Sequence, residues 1–121
     1  MILEYVVQSA LADMRRQAAP ASLATAVLSS GAEEHATFSP QAARGMTDAL
    51  RAYRTVLACE LVAVARALRL RGRVPATPRL RALFDLACGA LNAETLDRPL
   101  DGDVEIATAL LPRFADGGPL A

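Results

Sequence analysis

Glu33, Glu34 and His35 stand side by side in a segment that otherwise carries little charge, and His35 is the only histidine of the chain. A carboxylate beside an imidazole can hold an ammonium group or move a proton. The same residues can also be loop-ordering acids next to a hydrogen-bonding histidine, and the residue types alone leave both readings open. No metal chemistry is expected. One histidine and two distant cysteines, Cys59 and Cys88, do not have zinc-ligand spacing. Each cysteine sits in an apolar helical context, so both are expected to be buried free thiols.

The elements that must position this cluster follow from periodicity. Leu3, Val7, Ala10, Leu11 and Met14 recur at helical spacing, which predicts a helix over residues 1–18 ended by Pro20. This helix starts at Met1 without a cap, as if continuing a larger bundle. Residues 21–38 have no sustained period and read as a long, ordered, fairly apolar loop, a kind of segment that is usually functional. Ser39-Pro40 then gives a hydroxyl cap and a first-turn proline, and Gly72 gives a C-terminal stop. That brackets one long central helix over about 40–71, roughly 48 Å long at 1.5 Å per residue.

Along that helix Ala43, Met46, Leu50, Tyr53, Leu57, Val64 and Ala67 form a stripe, with Glu60 inside it. Between Val56 and Ala65 the helix is apolar on nearly every side except at Glu60, which predicts burial all round. A chain of 121 residues cannot cover such a rod by itself, so other subunits are expected to. Glu60 then reads as a buried structural acid whose partner would be Arg44, Arg51 or Arg54 of a neighbouring helix. Two short helices follow. One starts at Thr77-Pro78 with Leu80, Leu83, Phe84, Ala87 and Leu91 on its apolar face. The other is capped by Asp101, with Val104, Ala107, Leu110 and Leu111 facing inward, and is stopped by Pro112. The fold expected is all-α: a single-domain helical-bundle fragment over 1–121 with a frayed tail at 113–121.

Composition excludes several classes. The chain is 53% hydrophobic, which is too apolar for disorder, yet it contains no uninterrupted apolar span long enough for a membrane. Glu4 and the periodic apolar residues do not suit a signal peptide, so a cytoplasmic location is expected. Net charge is +0, and all 13 basic residues are arginine. Arg66, Arg69, Arg71, Arg73, Arg79 and Arg81 cluster around one helix end, but no aromatics interleave them. They read as helix-terminal charge and salt bridges, and no nucleic-acid partner is expected.

Four motifs, in order, resemble the C-terminal part of the aromatic amino acid ammonia-lyases, with histidine ammonia-lyase the nearest branch. PASLATAVLSSGAEEHATFS followed by PQAAR resembles that family's loop and helix head. Pro20, Ala21, Ser22, Ser29, Glu33, His35, Ala42, Ala43 and Arg44 match, and Glu34 replaces an aspartate. VLACELV, which contains Glu60, resembles the family's VLAIELL. LDRPLDGDVE resembles EDRPLSPDIE, and MILEY resembles MIAQY. Gly31-Ala32 depart from the family's Asn-Gln, and Ala24 and Val27 from its Asp and Pro.

The resemblance implies an amino-acid substrate, with Glu33 near the substrate amine or in proton transfer and His35 as a lesser candidate. It also implies a methylidene-imidazolone electrophile made from an Ala-Ser-Gly triplet. The chain has no such triplet. A larger ammonia-lyase-like subunit is therefore the expected source of that group. The alternative is a non-catalytic helical oligomerisation or scaffold module, itself a homo-oligomer.

Overall fold

The computed structural model describes residues 2–24, 27–32 and 38–115. Among these, the regular elements are helices: α1 (Ile2–Gln17), α2 (Ser39–Leu70), α3 (Pro78–Ala90) and α4 (Asp101–Ala115), plus short 3₁₀ turns at Ala21–Ala24 and Ser29–Gly31. The all-α architecture with one long helix matches expectation. No helix among the described residues is long and apolar enough to cross a membrane.

α1 packs as its periodicity requires. Leu3, Val7, Leu11 and Met14 are half-buried and Ala10 is buried, while the residues between them face outward. It runs antiparallel to α2, since Gln17 touches α2 near Gly45 and Leu3 packs on the core cluster around Ala58 and Val62. α4 returns along the C-terminal half of α2. The core they share with α3 is made of Ala58, Val62, Ala65, Ala87, Leu91 and Ala107, with Leu61, Leu100, Val104 and Phe114 against its edge. These are mostly small side chains, which let helix axes approach closely.

The long helix is not buried all round. Its buried residues are Ala58, Cys59, Val62 and Ala65. The stripe expected to be core faces outward instead: Met46 is 62% exposed, Leu50 52%, Tyr53 46% and Val64 55%. Glu60 is exposed as well and is not a buried acid. The reason is steric. The three helices that pack on α2 use its alanine-rich side, and among the described residues nothing covers Met46, Leu50, Tyr53 or Val64 fully.

Helix ends account for further differences. The cap position of α2 is Phe38, at φ 49°, one residue before Ser39, with Pro40 in the first turn as expected. At the far end the Arg73 N–H bonds the Leu68 carbonyl at 3.0 Å and the Gly72 N–H bonds that of Arg69 at 3.0 Å. These two bonds form a Schellman motif, which needs the positive φ of 57° that Gly72 supplies. Thr77 holds the cap position of α3, but its hydroxyl makes no capping bond. Pro112 does not stop α4. It lies inside the helix, which continues to Ala115, so residues 113–115 belong to a helix and not to a tail; 116–121 lie outside the described residues.

Both cysteines are free. Cys59 is buried, and that burial pushes its thiol pKa up, whereas Cys88 is only half-buried.

Candidate functional site

Glu33 and His35, with Glu34 between them, lie outside the described residues. What the structure does describe is the frame on either side. α1 ends against the start of α2, where a Cβ placed on Gly45 would meet the Gln17 side-chain oxygen at 3.2 Å. This close approach fixes the two ends of the α1–α2 connection beside each other. The turn at Ala21–Ala24 also packs on α2, and its Leu23 N–H bonds the Pro20 carbonyl at 3.1 Å.

The backbone entering and leaving that segment is unusual. Ser29, Ser30 and Gly31 take φ values of 52°, 55° and 91° in succession, and Phe38 takes 49°. Left-handed backbone costs a non-glycine residue about 1–2 kcal/mol. Such outliers concentrate at ligand clamps and active sites, where the surrounding structure holds them. The turn is closed by the Gly31 N–H to the Leu28 carbonyl at 3.0 Å and the Ala32 N–H to the Ser29 carbonyl at 3.1 Å. Gly31 and Ala32, which replace two amides of the family pattern, thus lie at the end of this strained turn and contribute no side-chain hydrogen bond. On the other side the Ala42 N–H bonds the Phe38 carbonyl at 3.0 Å and starts α2. Arg44, the last residue of the matched AAR, is exposed on the second turn.

A groove of about 700 Å³ lies between α1 and α2, lined by Tyr5, Asp13, Arg16, Asp48, Arg51 and Thr55 among others. Its charges are already paired within each helix: Arg16 with Asp13 at 2.9 Å and Arg51 with Asp48 at 2.7 Å. These are exposed pairs, which suit a solvated face better than a ligand site.

Sequence reasoning missed what the arginine cluster does. Arg66 donates to the carbonyls of Glu94, Thr95 and Leu96 at 2.8, 3.0 and 3.2 Å. Arg69 donates to those of Asn92, Cys88 and Leu91 at 2.6, 2.7 and 3.2 Å. Two guanidinium groups on α2 thus satisfy the carbonyls at the end of α3 and in the connector after it. Arg81 pairs with Asp85 at 3.3 Å, while Arg71, Arg73 and Arg79 are exposed.

The DRPL motif is also a structural tie. Arg98 Nη2 donates to Asp103 Oδ2 at 2.5 Å, the Asn92 N–H donates to Asp103 Oδ1 at 3.2 Å, and Arg98 Nη1 donates to the Pro99 carbonyl at 2.9 Å. Asp103 is the buried charged residue of the described part. It locks the start of α4 to the end of α3. No periodicity or composition signal reveals the ties of Arg66, Arg69 and Asp103, because they reach across a loop.

Comparison with known proteins fits this picture. The family model described as Aromatic amino acid lyase matches residues 1–88, which cover α1, the loop, α2 and most of α3. Histidine ammonia-lyase of Geobacillus kaustophilus (strain HTA426) is 30% identical over 116 residues, 96% of this chain and 23% of that protein. Histidine ammonia-lyase of Geobacillus sp. (strain WCH70) is 31% identical over 109 residues, 90% of this chain and 21% of that protein. That of Staphylococcus aureus (strain MRSA252) is 29% identical over 111 residues, 92% of this chain and 22% of that protein. The chain therefore spans only about a fifth of the length of these relatives. No solved structure gives a significant match.

Proposed function

We propose a function from one premise: the chain belongs to the aromatic amino acid lyase family. In this reading it is the small, C-terminal-type component of an aromatic amino acid ammonia-lyase or aminomutase, and it acts with a partner chain. The reaction is loss of ammonia from histidine or an aromatic amino acid. The observation that carries the reading is the match of Glu33 and His35 to the family's loop, set in a frame of left-handed residues at the head of α2.

Two things follow for the residues present. Glu33 has the chemistry to hold the substrate ammonium or to take part in proton transfer, with His35 beside it to orient substrate or carboxylate. The chain lacks the Ala-Ser-Gly triplet from which the family's methylidene-imidazolone forms, so no residue here fits that group. In this proposal the electrophile, which turns the amine into a leaving group, comes from the partner chain.

A second reading is favoured by Gly31-Ala32. With two amides missing from the loop, the chain would serve as a non-catalytic helical oligomerisation or scaffold module. One experiment separates the two. The chain is co-expressed with an Ala-Ser-Gly-bearing lyase chain, and the copurified pair is offered histidine, phenylalanine and tyrosine. Ultraviolet absorbance of an acrylate product supports the catalytic reading. A copurifying pair with an intact electrophile and no product leaves the scaffold reading.

A further inference from the structure

The arginines around the end of α2 divide into two groups. Residues 61–84 hold Arg66, Arg69, Arg71, Arg73, Arg79 and Arg81 and no acid, whereas residues 85–105 hold six acids and one arginine. The neutral total therefore hides a basic stretch. Arg66 and Arg69 are engaged on backbone carbonyls, and Arg81 on Asp85. Arg71, Arg73 and Arg79 are exposed and have no hydrogen bond or ion pair among the described residues. Two of the acids that follow are occupied elsewhere: Asp103 faces Arg98, and Glu94 accepts the Leu96 N–H. On α1 and the first half of α2 the pattern is different, since Arg16 and Arg51 each have an aspartate three residues away.

The three unpaired arginines stand on a restrained turn. The bonds and positive φ at Gly72 fix its start, and Pro75 and Pro78 restrict the rest. Beside the arginines, Leu70, Val74 and Leu80 are each more than half exposed. Unpaired guanidinium groups interleaved with exposed aliphatic side chains have the makeup of a protein interface. A guanidinium fork matches a carboxylate bidentately, and a restrained backbone loses little entropy on docking. A single-stranded nucleic acid would want aromatic side chains to stack on, and none lies between Leu61 and Leu83. We propose that the Arg71–Arg79 turn docks on a carboxylate-bearing surface of the electrophile-bearing chain. This rests on the two-chain reading above: the chain spans about a fifth of its relatives' length, so in that reading most of the surface it meets belongs to the other chain. The turn lies beyond the C-terminal end of α2, whose 32 residues set it about 48 Å from the head of that helix at 1.5 Å per residue. It is an assembly contact, far from the helix end that carries the matched loop.

The test uses the chain copurified with an Ala-Ser-Gly-bearing lyase chain. The dissociation constant of the pair is read by sedimentation velocity on dilution. Arg71→Glu, Arg73→Glu and Arg79→Glu combined should raise it about 30-fold, at about threefold per position, with helicity by circular dichroism unchanged. Raising salt from about 0.05 M to about 0.5 M should weaken the wild-type pair and change the triple variant little. Backbone amides of residues 71–80 should gain protection from hydrogen exchange in the pair. A pair whose affinity and salt dependence survive the triple substitution overturns the proposal and leaves the two-chain reading standing. Chains that do not associate overturn both, and acrylate formation by the wild-type pair tests the catalytic reading separately. If these arginines instead bind a single-stranded RNA oligonucleotide or phosphatidylglycerol vesicles, and do so equally in the assembled pair, the turn belongs to a polyanion and the proposal is overturned too.

Discussion

The two ends of α2 are built in different ways. At the C-terminal end Arg66 and Arg69 together take up six carbonyls of the α3 terminus and its connector. Gly72 closes the helix, and Arg98 with Asp103 pins α4 to α3. At the N-terminal end the chain holds only the frame of a loop. α1 touches α2 closely at Gly45, three successive residues are left-handed, and the large apolar side chains Met46, Leu50 and Tyr53 point outward. One end is tied together by the chain's own side chains, whereas the described residues of the other carry left-handed backbone and exposed apolar side chains. Functional segments are commonly drawn from the less internally satisfied part of a fold.

This contrast can be broken by substitution. Asp103→Asn removes the charge that Arg98 faces in a buried setting, and should cost about 3 kcal/mol in chemical denaturation. A loss under about 0.5 kcal/mol, the range of an ordinary surface change, would mean that the tie does not hold the C-terminal end together. Arg69→Ala leaves three carbonyls without their donor and should cost about 2 kcal/mol, with fraying confined to α3 and its connector in amide hydrogen exchange. Uniform loss of protection would argue against a local clamp. Ser30→Gly has the opposite sign: it relieves left-handed backbone and should stabilise the chain by up to about 1 kcal/mol, while lowering any activity of the assembled enzyme. If stability falls instead, the turn is not a site of strain.

The sequence displayed some of this directly. The α1 face is read correctly from Leu3, Val7, Ala10, Leu11 and Met14, because large and small apolar residues alternate with polar ones at one period. On α2 the same reasoning follows the largest side chains and lands on the wrong face. Within the chain, packing selects Ala58, Cys59, Val62 and Ala65, whose small size carries the close approach but little hydropathy signal. Arg66, Arg69 and Asp103 act across loops, on carbonyls or on a backbone N–H 11 to 30 residues away, and local pattern cannot anticipate such bonds. For the candidate site, residue types and family register point to Glu33 and His35, while the left-handed run at Ser29–Gly31 is visible only in three dimensions, since serine does not signal it.

Glu33 carries the central claim, and one substitution tests it most directly. In the copurified pair of this chain with an electrophile-bearing chain, turnover is followed by acrylate absorbance for wild type and for Glu33→Gln. Our reading predicts a fall of at least about 100-fold, the scale expected when a group engaged in proton transfer is lost, with assembly and helicity unchanged. Turnover equal to wild type in an intact Glu33→Gln complex would contradict it.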